Sequence, residues 1–157
     1  MKLIHIINDY IYEVRWNIVL NEETNEYTYN SIAYHRKPTL ERIQKDIIRW
    51  FNSQTDKLIK YGFTWKGIEV YLSDENKFNY KAIIDEVEIS PDLLPVTLKL
   101  GKTNEPENFY TFTTLEELRE FFSAGVRHLI NAYGSGWNKI ASFDWAPYED
   151  ALKELDN

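Results

Sequence analysis

The chain has 157 residues, enough to bury an ordinary hydrophobic interior within one domain. Its formal charge of -7 argues against nonspecific phosphate binding, which needs clustered Lys and Arg, and the lack of Cys excludes a disulfide framework or Cys-ligated zinc. Aromatic residues make up 15% of the chain, with eleven Tyr and five Trp, rings that suit cores and interaction faces alike.

The opening Met1-Lys2-Leu3-Ile4-His5-Ile6-Ile7-Asn8-Asp9 holds an apolar run too short for a signal segment, and no span reaches transmembrane length. The expected location is therefore the cytoplasm of the cell that makes the protein, or a particle assembled there. From Tyr10 to Leu20 the residues alternate. Tyr10, Tyr12, Val14, Trp16, Ile18 and Leu20 share one face, and Glu13, Arg15 and Asn17 the other, the period of a half-buried strand. A second run, Tyr27 to Tyr34, follows the polar segment Asn21 to Glu26, and the two predict a β-hairpin with a longer loop.

Thr39 is placed to cap one long helix that ends at Gly62, with Leu40, Ile43, Ile47, Trp50 or Phe51, Leu58 and Tyr61 at helical spacing. Trp65-Lys66-Gly67 reads as a turn into the strand Ile68 to Leu72. Ser73 then caps a helix running to about Val87, with Asp74 and Glu75 in its first turn. Pro91 and Pro95 interrupt, after which Val96 to Leu100 and Phe109 to Phe112 pair as strands across the loop Gly101 to Pro106. Thr113 and Glu116 form a capping-box pattern, and Leu115, Leu118, Phe122, Val126, Leu129 and Tyr133 make an apolar helical stripe. Gly134-Ser135-Gly136 is expected to interrupt or end this helix. Asp144 caps a last helix in which Tyr148, Leu152 and Leu155 share a face. The predicted class is α+β, antiparallel hairpins packed against three to four helices. Residues 1–63 carry the first hairpin and the long helix, and residues 64–157 the rest, together forming one compact unit.

In order, the second part carries Gly67-Ile68-Glu69-Val70-Tyr71-Leu72-Ser73, Leu94-Pro95-Val96-Thr97-Leu98-Lys99-Leu100-Gly101, Tyr110-Thr111-Phe112-Thr113-Thr114, Gly136-Trp137-Asn138-Lys139, Trp145 and Tyr148. This stretch, about 65 to 155, resembles a domain of unknown function recurrent in bacteriophage and prophage tail-fibre-like and virion-associated proteins. The resemblance implies a non-enzymatic structural, tail-associated or assembly role and supplies no catalytic residue. Ile140-Ala141-Ser142-Phe143 departs from it, where a more charged stretch is expected.

Candidate catalytic groups are weak. His5, His35 and His128 are far apart and lack metal-ligand spacing, so neither a metal nor another cofactor is expected. Asp85-Glu86-Glu88 and Glu116-Glu117-Glu120 could in principle pair for glycoside hydrolysis, but acids at helix starts are already accounted for by the helix dipole. Ser123-Ala124-Gly125 and Gly134-Ser135-Gly136 lack the setting of a nucleophile elbow. The interaction candidates are the hairpin residues Tyr10, Tyr12, Trp16, Tyr27, Tyr29, Ile32 and Tyr34, together with opposite-face Ile11 and Val19. The expected partner is protein, either a second copy or another phage structural protein, with no nucleic acid and no membrane. The alternatives are a carbohydrate-binding module presenting exposed rings, a small hydrolase, and an acidic inhibitor of a host protein.

Overall fold

The computed structural model describes residues 1–8 and 10–156. The strands are β1 (Ile4–Asn8), β2 (Ile11–Asn21), β3 (Glu26–Tyr34), β4 (Phe63–Trp65), β5 (Ile68–Val70), β6 (Val96–Lys99) and β7 (Phe109–Phe112). The helices are α1 (Leu40–Tyr61), α2 (Asp74–Ile89), α3 (Leu115–Ala141) and α4 (Ala146–Glu154). All sheet pairing is antiparallel, in the order β1-β2-β3, with β4-β5 and β6-β7 as separate hairpins. The fold is α+β, with antiparallel hairpins packed on helices.

The chain divides into two compact units, one of residues 1–51 with 140–157 and the other of residues 52–139. The expected division at 63/64 differs, because the last helix belongs with the N-terminal strands. Tyr148 is buried in one cluster with Ile4, Val14, Trp16, Ile43, Ile47 and Phe51, and its hydroxyl donates to the Arg15 carbonyl at 2.8 Å. In that unit Trp16 meets Trp50 edge-on at 5.9 Å, and Phe51 meets Phe143 at 5.6 Å, both favoured ring geometries.

The other unit is centred on Phe121, whose ring lies within 5.2 Å of both Tyr80 and Phe112 and 5.5 Å from Trp65. Around it are buried Phe63, Val70, Leu72, Ile84, Val87, Leu98, Leu100 and Leu118. The β4–β5 turn needs positive φ at two successive residues, supplied by Lys66 at 46° and Gly67 at 86°.

Local signals set the helix starts. Thr39 Oγ1 accepts from Arg42 N at 3.2 Å and Ser73 Oγ from Asn76 N at 3.2 Å. The α4 cap position is Trp145, which makes no side-chain cap bond, in place of the expected Asp144, whose Oδ1 accepts from Ala146 N at 3.1 Å from one residue further out. The α3 cap lies one residue later than the expected Thr113–Glu116 box. Thr114 Oγ1 accepts from Glu117 N at 3.2 Å, while Glu117 Oε2 accepts from Thr113 N at 3.4 Å.

Three further expectations are corrected. Gly134-Ser135-Gly136 neither breaks nor ends α3, since the helix packs so closely that a Cβ on Gly136 would lie 2.2 Å from Thr55 Oγ1. The buried line on α3 runs through Leu118, Phe121 and Ala132, whereas Val126 is 38% exposed. On α1, Ile59 is buried in place of Leu58 and Tyr61, because the inward face drifts along a helix of 22 residues.

Candidate interaction surface

The first hairpin consists of two unlike halves joined at a bulge. Near its base, β2 lies between β1 and β3, with Ile4 opposite Val14 and Val14 opposite Ile32. Here Val14 and Trp16 are buried, and Tyr12, Ile32 and Tyr34 pack around them. The register then shifts between Trp16 and Val19, where Asn17 adopts φ of 51° and its amide donates to Asn30 Oδ1 at 3.2 Å. The shift cancels the simple alternation expected through Leu20.

Beyond the bulge only β2 and β3 continue, with Val19 opposite Thr28 and Leu20 opposite Tyr27. Val19 is 60% exposed, Leu20 40%, Tyr27 45% and Tyr29 38%. The connecting turn is held by Asn21 Oδ1, which accepts from Glu23 N at 3.0 Å and Thr24 N at 3.3 Å, and by Asn25 at φ of 54°. The apolar side chains of this half thus project from an ordered ribbon.

A charged and aromatic group stiffens its flank. The Arg15 guanidinium lies 4.7 Å from the Tyr29 ring centroid and also pairs with Glu13. Burial pushes the Glu13 carboxyl up, but hydrogen bonds from Arg15 and Ser31 outweigh it and hold the group below its ordinary value. In the sheet order, β3 pairs with β2 alone, which leaves its other edge open to a further strand among the described residues.

The seven candidate residues therefore do not form one surface. Tyr27 and Tyr29 lie on the projecting half, Tyr10 is 74% exposed after β1, and Trp16 is buried with Tyr12, Ile32 and Tyr34 packed beside it. Of the opposite-face residues, Val19 is well exposed while Ile11 is only partly so.

Asp46 was not among the candidates, yet it organises the base of this unit. Only 6% exposed, it accepts from Tyr34 Oη at 3.0 Å, Arg42 Nε at 2.8 Å and Arg49 Nη1 at 2.9 Å. The available signal was an acid on the Ile43/Ile47 face with arginines four residues before and three after it. Burial and the Asp46 carboxylate push the Tyr34 phenol well above its ordinary range.

Three of the carboxylates considered for catalysis are engaged in ion pairs. Glu117 binds Lys66 and Tyr110, Asp85 binds Lys81, and Glu88 binds Arg119. The Lys66 ammonium and Tyr110 hydroxyl hold the Glu117 carboxyl below its ordinary value. His128 lies 2.9 Å from the Leu58 carbonyl and stacks on Phe63 at 5.7 Å. Among the described residues no three His, Asp or Glu side chains are grouped to hold a metal ion, and no helix is long and apolar enough to cross a membrane. Neither protein-family models, curated proteins nor solved structures yield a match to this chain.

Proposed function

We propose that the protein is a non-enzymatic interaction module of a bacteriophage or prophage particle, acting in structure or assembly through its first hairpin. The supporting observation is the half beyond Asn17, where Val19, Leu20, Tyr27 and Tyr29 are exposed on an ordered ribbon beside an open strand edge. Such a ribbon suits addition of a partner strand, with backbone hydrogen bonds supplying affinity and the apolar side chains selecting the partner. The phage setting rests on the resemblance of residues 65–155. The location proposed with it is the virion or the host cytoplasm.

The test is co-purification of the full chain from a phage-infected or prophage-induced host, alongside light scattering over a concentration series. Recovery of an identified virion component, lost in a Leu20→Lys/Tyr27→Lys variant that melts like the parent, is the expected result. A strictly monomeric mass with no such component recovered, or a component retained by the variant, would overturn the hairpin's role.

A further inference from the structure

A second feature lies in the unit of residues 52–139. Between α2 and α3 there is a half-open cavity of about 110 Å³, lined by Leu72, Tyr80, Phe121, Gly125 and Leu129, with the partly exposed Val126 beside them. Its lining presents no polar atoms. The Tyr80 hydroxyl is already committed to the Lys99 carbonyl at 2.9 Å, and Lys77 contributes its alkyl stem. The ammonium at the end of that stem is 2.9 Å from Asp74, whose side chain is 96% exposed. A lysine ammonium has three donors, so this one contact leaves capacity for another acceptor.

Gly125 is informative here. It lies inside α3, where glycine is conformationally unfavourable, and packing does not demand it, since an added Cβ would meet Phe63 Cε1 at an ordinary 3.6 Å. A void this apolar gains little from water and favours an apolar guest. A closed apolar cavity of about 150 Å³ accommodates benzene, so a half-open one of this size suits a single ring or a short alkyl chain.

We infer that the cavity between α2 and α3 is a binding site for a small amphiphilic carboxylate. Its ring or short chain enters among Leu72, Phe121 and Leu129, and its carboxylate meets the Lys77 ammonium. The inference is independent of the hairpin and of the phage setting. The charge supplies the selectivity, because a neutral guest of equal shape gains the apolar contacts and lacks the ammonium.

Titration of the isotope-labelled full chain with 3-phenylpropionate, and separately with the neutral 3-phenylpropan-1-ol, tests this by amide chemical shifts. Saturable shifts confined to the neighbourhood of Leu72, Tyr80, Gly125 and Leu129 are expected, with the acid bound about fivefold more tightly than the alcohol, as suits one partly exposed charge pair. Lys77→Met, which keeps an alkyl stem at a side chain 31% exposed, should abolish that preference, and Asp74→Asn, at a side chain 96% exposed, should widen it. Val126→Trp, which obstructs the opening, should weaken both ligands. Equal affinity for acid and alcohol, a preference that survives Lys77→Met, shifts scattered over the surface, or no saturation would each overturn the assignment.

Discussion

Asp46 shows how one residue type at one helical position fixes its surroundings. A carboxylate facing inward is costly unless donors compensate it, and Tyr34, Arg42 and Arg49 converge on its two oxygens. Both arginine side chains are more than half exposed, so solvent screening reduces what the pairs contribute. Asp46→Ala should therefore destabilise by about 1 to 3 kcal/mol, and Tyr34→Phe, which leaves both arginines in place, by about 1 kcal/mol. Urea titration measures both, and a silent Asp46→Ala would mean that the carboxylate anchors nothing. Position also separates residues of like chemistry on α3. Leu118 and Phe121 are 0% and 1% exposed, so truncation to Ala should cost about 2 to 5 kcal/mol at each. Val126 is 38% exposed, and its truncation should cost less than about 1 kcal/mol. A loss at Val126 equal to that at Leu118 would contradict the helical phase described.

At the scale of elements, two glycines on α3 make a matched test. A Cβ at Gly136 would lie 2.2 Å from Thr55 Oγ1 and 3.2 Å from Thr55 Cβ, so α1 and α3 could not keep their separation. A Cβ at Gly134 would meet nothing within 4 Å. Gly136→Ala is expected to destabilise by about 1 to 3 kcal/mol through overpacking, whereas Gly134→Ala should stabilise by about 0.5 to 1 kcal/mol by restricting the unfolded chain. Thermal melts of the two variants should move in opposite directions, and a common direction would refute the close approach. The same pair marks the limit of what a sequence discloses. Caps at Thr39 and Ser73 were legible because a cap is a local hydrogen bond between near neighbours. The meaning of Gly136 depends on Thr55, far away along the chain, so Gly134-Ser135-Gly136 read as a break. The bulge at Asn17 was hidden likewise, because alternation in β2 alone cannot reveal that Val19 pairs with Thr28. That bulge decides which candidate rings are exposed: the sequence indicated the aromatic hairpin, but not that Trp16 lies in the core while Tyr27 lies outside it.

For the whole molecule, the buried tyrosines determine how stability responds to alkali. Burial pushes the Tyr80 and Tyr148 phenols up to about 12, and burial together with the Asp46 carboxylate pushes Tyr34 up as well. Tyr34 and Tyr148 belong to the unit of residues 1–51 and 140–157, and Tyr80 to that of residues 52–139, so both units carry the effect. A folded pKa above the unfolded value means that the native state holds its proton more tightly. The stabilisation is then complete below about pH 10, where unfolded tyrosine is still neutral, and is lost as pH rises toward 12. Tyr80 and Tyr148 should each forfeit about 2 kcal/mol across that window. Lys66 acts in the same direction, since hydrogen bonds with Glu117 and Tyr110 raise its pKa and favour the native state until the ammonium deprotonates. Absorbance at about 295 nm, which reports tyrosinate, followed with far-ultraviolet circular dichroism against pH, should resolve two phases. The phase at higher pH, from the buried phenols of Tyr34, Tyr80 and Tyr148, should appear together with loss of helix. A single phase near pH 10 with the helical signal unchanged would show that Tyr34, Tyr80 and Tyr148 ionise without unfolding, and would contradict their burial.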